Sequence, residues 1–170
     1  MKLDIGGGVS KGDGWTTIDI NPGADIVHDI TIFPWPVKSG SCSELRMFHT
    51  LEHLPPESAL NVMKECYRVA EPGAMFEIRI PWWEYDLHSC PYHLNWFRPR
   101  WFYWLSREKQ GTKGARDAIG DMAWCPAMYH QHGDLDWRVQ GDHITRGRHK
   151  FWKKYEYRVW LKKFVARRGE

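Results

Sequence analysis

The chain lacks any apolar run of about eighteen residues, the length a helix needs to cross a bilayer, so no membrane partner is expected. It also lacks a charged-then-apolar leader, since Leu3, Asp4, Ile5 and Gly6 follow the first two residues directly, and the expectation is a cytoplasmic protein. The four cysteines, at 42, 66, 90 and 125, form no CxxC pair and are spaced too widely for a small disulfide framework. Reduced thiols fit that pattern. The 170 residues suffice for one domain with a real core and are too few for two ordinary ones.

Acidic residues are scarce in the second half. Residues 1–85 carry 7 Lys/Arg and 12 Asp/Glu, whereas 86–170 carry 17 and 9, a net of −5 against +8. From Arg138 onward there are 11 basic residues and 3 acids. Such a tail can attract an anionic partner. It can equally be the solvated side of terminal strands, because Lys150, Lys153, Lys154, Lys162 and Lys163 flank the apolar Phe151, Trp152, Tyr155, Tyr157, Val159 and Leu161.

Helix-length connections are missing near the start. Short apolar runs at 2–5, 16–20 and 24–28 predict strands, but 8–15 and 21–23 are too short and too rich in glycine for the dozen or so residues of a helical crossover. A further strand is predicted over 45–49, a helix over 55–69 with Leu60, Met63 and Tyr67 on one face, and a strand over 74–80 after the stop Pro72-Gly73. Strands around 135–139 and 155–164 complete the pattern. Strand alternating with helix predicts a mostly parallel α/β sheet in one domain over 1–170, with its first crossover helices shortened or absent. One face of that sheet is then thinly covered, which favours covering by the C-terminal half in a monomer or by a second subunit in a homodimer.

Ten of the 23 residues from Trp82 to Trp104 are aromatic. Within a segment 82–132 they read either as the wall of a substrate pocket, with Trp82, Trp83, His88 and Trp96 as candidate substrate contacts, or as a packed core piece. His88, Cys90 and His93, with Cys125, His130 and His132 further on, match no standard zinc spacing, so no metal is expected.

The chemistry-bearing signal lies earlier. A strand that ends in Gly6-Gly7-Gly8 allows a ligand close to the backbone, and Asp19, at the end of the next strand, is placed to accept hydrogen bonds from both ribose hydroxyls. A nicotinamide-dinucleotide fingerprint is absent: Lys11 stands where its third glycine belongs, and Asp19 comes only eleven residues after Gly8. A cofactor without a pyrophosphate fits better.

The stretches Leu3-Asp4-Ile5-Gly6-Gly7-Gly8, Gly14-Trp15-Thr16-Thr17-Ile18-Asp19, His28-Asp29-Ile30 and His49-Thr50-Leu51-Glu52-His53-Leu54 together resemble the class I S-adenosylmethionine (SAM)-dependent methyltransferase family, in particular its small, type 11 members. Val69-Ala70-Glu71-Pro72-Gly73-Ala74 followed by Ile80-Pro81 resembles the family's late helix, turn and strand. The resemblance implies a Rossmann-like fold with an antiparallel C-terminal strand and SAM as cofactor. It also implies Gly6, Gly7 and Gly8 at the methionine part, Asp4 organising their loop, Asp19 with Ile20 at the ribose, Asp29 and Ile30 at the adenine, and the His49 backbone facing the methionine end. A weaker similarity covers Pro91-Tyr92-His93-Leu94-Asn95-Trp96-Phe97, where Cys90 replaces a frequent acid.

Methyl transfer from a sulfonium is an in-line displacement, so the protein chiefly holds the two partners in line and excludes water. A general base is needed only for an acceptor that is protonated at working pH. His49, Glu52, His53 and His93 are the candidates. The expected acceptor is an oxygen or nitrogen of a small molecule or glycan intermediate. A nucleic-acid acceptor is the alternative, favoured by the basic tail, although the chain has neither an Asp/Asn-Pro-Pro-aromatic signature nor a Pro-Cys pair. A SAM-binding module without activity is a third reading, because the first strand is preceded by no helical segment of the kind many relatives place over the cofactor.

Overall fold

In the computed structural model the described residues are 1–82, 90–106, 135–148 and 153–165, with the side chains of 146–148 and 153–155 outside the description. Chain order begins with four strands, β1 (Lys2–Ile5), β2 (Thr16–Asp19), β3 (Ile26–Val27) and β4 (Cys42–Phe48). A 3-10 turn (Leu51–His53), helix α1 (Pro56–Val69) and strand β5 (Ala70–Pro81) follow. Helix α2 (Pro99–Tyr103) and the strands β6 (Trp137–Arg148) and β7 (Lys153–Lys163) complete the described chain.

All seven strands form one sheet in the order β3-β2-β1-β4-β5-β7-β6. β1 pairs in parallel with β2 and β4, and β4 with β5, whereas β7 runs antiparallel to both of its neighbours. The expected α/β sheet with a reversed C-terminal strand is therefore present. No helix occupies 6–15 or 20–25, so both early crossovers are loops, as the glycine content predicts.

Side chains alternate across the pleat, which sorts the sheet into two unlike faces. Leu3, Ile5, Leu45, Met47, Phe76, Ile78, Val159 and Leu161 are buried on one face, where Val62, Met63, Cys66 and Val69 of α1 join the same core. Pro56 at the first helical position suits α1, since the missing N–H is one the helix leaves unpaired there. The other face carries Lys2, Asp4, Glu44, Arg46, Glu77, Arg79, Glu156 and Arg158. These charges pair with one another: Lys2 with Glu44 at 2.8 Å, Arg46 with Asp4 at 2.7 Å, Arg79 with Glu77 at 2.7 Å, and Arg158 with Glu156. Trp15 lies over Arg46, its ring centre 4.3 Å from the guanidinium carbon. Among the described residues, this face is thus ordered by a stacked and paired charge lattice rather than by early crossover helices.

Two expectations need correction, and one alternative left open is partly decided. Helix α1 ends at Val69, and Ala70 is already extended, so Pro72 and Gly73 fall inside β5, where the pairing with β4 shifts between Cys42 and Glu44. β6 continues to Arg148, well past 139, because its hydrogen bonds to β7 carry it through Gly141 and a polar run that lacks the apolar alternation of a strand. The aromatic segment is partly core: Phe97 and Phe102 are buried, Trp101 packs edge-on against both, and Trp82 lies beside Tyr157. Of the segment 82–132, residues 83–89 and 107–132 lie outside the described residues.

Candidate active site

The strand order reverses direction between β1 and β4, and in an open parallel sheet such a point leaves a crevice at the carboxyl ends of the strands. Gly6, Gly7 and Gly8 line it. Gly6 has φ +69°, its N–H donates to the Ile18 carbonyl at 2.9 Å, and a Cβ there would overlap the Thr50 side chain. A Cβ on Gly7 would lie 2.6 Å from the Asp4 carboxylate, which places that buried acid directly beneath the loop. Gly8 also has φ +69°, but nothing lies within 4 Å of where its Cβ would stand. The crevice is open over Gly8.

Asp19 ties the loops around this opening together. Its Oδ2 accepts from the Gly8 N–H at 3.0 Å and its Oδ1 from the Asn21 N–H at 2.8 Å. A carboxylate has about four lone-pair sites, so capacity remains for a ligand. The Ser10 N–H reaches the Gly23 carbonyl at 2.9 Å, and the Asp25 carboxylate accepts from the Thr17 N–H at 2.8 Å and its hydroxyl at 3.0 Å. The Thr17 N–H and the Ser10 hydroxyl hold the Asp25 carboxyl below its usual range. Asp29 accepts from the N–H and hydroxyl of Thr31, at 2.8 and 2.7 Å, which lowers its pKa. Val9, Ile20, Val27 and Ile32 are exposed along this edge, while Ile30 is buried and takes the Trp35 indole N–H on its carbonyl. Ile20 is thus open to a ligand and Ile30 is core.

β4 is followed by His49, a non-glycine residue with φ +54°, a conformation that costs energy unless its surroundings enforce it. The surroundings are two carboxylates and a strand. Its N–H donates to the Arg79 carbonyl at 2.8 Å, its Nε2 lies 2.8 Å from Glu156 Oε2 and its Nδ1 lies 3.4 Å from Glu52 Oε1. Glu156, and behind it Glu52, raise the His49 pKa to about 9. Against the upward push of burial, hydrogen bonds from His49 and Arg158 hold Glu156 at about 2. Both carboxylates favour the imidazolium form of His49 at neutral pH, with its two ring nitrogens directed at Glu156 and Glu52.

Thr50, which abuts Gly6, leads directly into the 3-10 turn that carries Glu52 and His53. The Glu52 carbonyl accepts from the N–H groups of Leu94 and Asn95, at 2.8 and 3.0 Å, which pins the segment around His93 beside the turn. The rings of His53 and His93 are 4.9 Å apart. The structure thus gathers Glu52, His53 and His93. Trp96 is exposed and Trp82 is half-buried against the core, and Trp83 and His88 lie outside the described residues. Sequence reasoning missed Arg46, Asp25 and Glu156. Nothing local marks Glu156, which meets His49 across 107 positions.

The fold is that of the class I SAM-dependent methyltransferases. A SAM-dependent methyltransferase from Archaeoglobus fulgidus matches with a TM-score of 0.62 and 13% identity over 95% of this chain and 85% of its own. One from Methanosarcina mazei matches at 0.58 and 15%, over 97% and 92%. A 16S rRNA (adenine(1408)-N(1))-methyltransferase variant from Catenulisporales acidiphilia, solved with cosubstrate SAM, matches at 0.53 and 15%, over 98% and 85%. No protein-family model and no curated protein matches the chain.

Proposed function

We propose that the chain is a SAM-dependent methyltransferase acting on an oxygen or nitrogen of a small-molecule or glycan-type acceptor. The observation that carries this reading is the Asp19 carboxylate, tied to the Gly8 N–H at 3.0 Å at the ends of β1 and β2 beside a crevice that is open over Gly8. When bound, SAM supplies an activated methyl on a sulfonium. Asp19 has lone pairs free for the ribose hydroxyls, and Gly6 to Gly8 let the methionine part approach the backbone. The exposed Ile20 offers apolar area beside the ribose, and Asp29 stands at the end of β3 for the adenine edge.

The acceptor side is the turn Leu51–His53 with the segment pinned to it. There Glu52, His53 and His93 stand together as the candidate groups to receive the acceptor's proton. The exposed Trp96, next to Asn95, whose N–H donates to the Glu52 carbonyl, offers a face for a ring or sugar to pack on.

A small-molecule acceptor is favoured over RNA because three of the four basic side chains described from Arg138 onward are already engaged. Lys163 donates to the carbonyls of Tyr67 and Ala70, both at 2.7 Å, at the end of α1, and Arg158 and Arg138 are paired with Glu156 and Asp136. Calorimetry tests the cofactor assignment. Asp19→Ala should weaken SAM binding by about 1.5–3 kcal/mol, the scale of a lost charged acceptor. Unchanged affinity overturns the site, and tighter binding of NAD than of SAM overturns the whole reading. Turnover with small-molecule and sugar acceptors separates an enzyme from a SAM-binding module.

A further inference from the structure

The acceptor-side turn holds an arrangement that methyl transfer by itself does not require. Glu52 is a carboxylate whose side chain is only 2% exposed, and among the described residues neither of its oxygens has a hydrogen bond of good geometry, the long 3.4 Å contact with His49 being its one ion pair. Buried polar atoms are nearly always paired, and a buried carboxylate is among the costliest to leave unmatched. Its nearest described cationic partner is His49, at 3.4 Å, which Glu156 already binds more closely at 2.8 Å. A second unmatched atom lies alongside: His93 Nδ1 is buried and has no hydrogen-bond partner. His53 completes the group. Its Nδ1 lies 3.0 Å from the Tyr92 carbonyl, which fixes a proton on that nitrogen and leaves the Nε2 lone pair free.

We propose that Glu52, His53 and His93 form a site for a divalent transition-metal ion, with zinc as the reference ion. One donor atom from each of the three residues lies within 4.8 Å of the others. A tetrahedral zinc with bonds of 2.0–2.1 Å spaces its ligand atoms about 3.4 Å apart. Side-chain rotation has to close that gap, and His53, the exposed member, is the freest of the three to rotate. Two imidazole nitrogens and one carboxylate suit zinc and its neighbours rather than calcium or magnesium, which prefer all-oxygen shells. The Tyr92 carbonyl under His53 is the outer partner that metal-bound histidines usually have.

Three protein ligands, the number found among the described residues, leave a coordination position open, as catalytic rather than closed structural zinc sites do. The turn that carries Glu52 and His53 begins at Thr50, against Gly6 of the glycine loop. An acceptor hydroxyl bound at the open position would lose its proton more readily and be held beside the crevice. That consequence deepens the methyltransferase reading and rests on it. The metal site itself does not.

The test uses the full chain, stripped with EDTA and titrated with zinc chloride alone in a calorimeter, then with cobalt(II) followed by absorption. One ion per chain is expected, with a cobalt spectrum free of a thiolate charge-transfer band. Glu52→Gln, His93→Ala and His53→Ala should each weaken zinc binding by roughly 100-fold or more, at least the loss seen when a supporting partner of a metal ligand is removed. His53 is exposed, so loss of binding in His53→Ala with an unchanged circular dichroism spectrum cannot be ascribed to unfolding. The proposal is overturned if the wild type binds no zinc at micromolar concentrations. It is also overturned if one-to-one binding persists in all three variants, or if cobalt shows thiolate ligation. Zinc binding without SAM binding would leave this site standing and remove the methyltransferase reading, and SAM binding without zinc would do the reverse.

Discussion

Asp4 and Arg46 are joined by a 2.7 Å ion pair directly under Gly7, so the loop that lines the crevice rests on a buried charge pair. Arg46 reaches Asp13 as well, at 3.2 Å, and is capped by Trp15. The pair therefore links both ends of the β1–β2 connection, which has no helix to hold it.

Removing one partner should be far worse than removing both. The Asp4 side chain is 4% exposed and that of Arg46 14%, so Arg46→Met strands a buried carboxylate and should cost about 3 kcal/mol in urea unfolding. The double variant Asp4→Asn/Arg46→Met should recover most of that loss. Equal destabilisation of single and double variants would show that the pair does not act as a unit.

Gly6→Ala should destabilise the fold and weaken SAM binding together. The added Cβ meets Thr50, and φ +69° is costly for alanine by itself, about 1 kcal/mol. Combining it with Thr50→Gly should remove the steric share and leave the conformational one. Thermal melts and SAM titration of the two variants check this, and a Gly6→Ala protein with wild-type stability would show that the loop is not so constrained.

Glu65 makes stability depend on acid pH. Burial pushes its carboxyl up, but hydrogen bonds from Arg68 and from the Trp35 N–H, at 2.6 Å, outweigh that and hold it below its ordinary value. A group whose folded pKa is depressed contributes fully above its unfolded value, about 4.3 for Glu, and loses the contribution as pH falls through the folded value. The stability of wild type minus that of Glu65→Gln should therefore be constant from neutral pH down to about 5 and shrink below it. A difference that stays flat to pH 3 would contradict the assignment.

Affinity for RNA should depend only weakly on salt. Each phosphate neutralised adds a log-log slope of about −0.7 to −0.9, and Lys163, Arg138 and Arg158 are already bound within the protein. Filter binding at low and moderate salt is expected to give a shallow slope. A slope steeper than about −4, abolished by Lys162→Glu, would transfer the acceptor reading to nucleic acid.

Much of the architecture is legible in the residues because it depends on local patterns. Gly6 to Gly8 at the end of an apolar run, Asp19 closing the next, and Leu60, Met63 and Tyr67 at helical spacing each follow from periodicity or backbone freedom over a few positions. The shortness of 8–15 and 21–23 excludes two crossover helices by length alone. The length of β6 is not legible in this way: its outer half has no apolar alternation and is a strand only because β7 supplies hydrogen bonds along it.

The sequence by itself determined that a mostly parallel sheet presents a glycine loop and Asp19 at one edge, because strand, turn and loop preferences act between near neighbours. Only the tertiary structure decided the charge state of His49, which depends on Glu156 from the distant strand β7. Only the tertiary structure, likewise, brought His93 to Glu52 and His53, through backbone hydrogen bonds from Leu94 and Asn95 to the Glu52 carbonyl. Electrostatic and ligand geometry fall off over a few ångströms, and separation along the chain carries no information about distances of that kind.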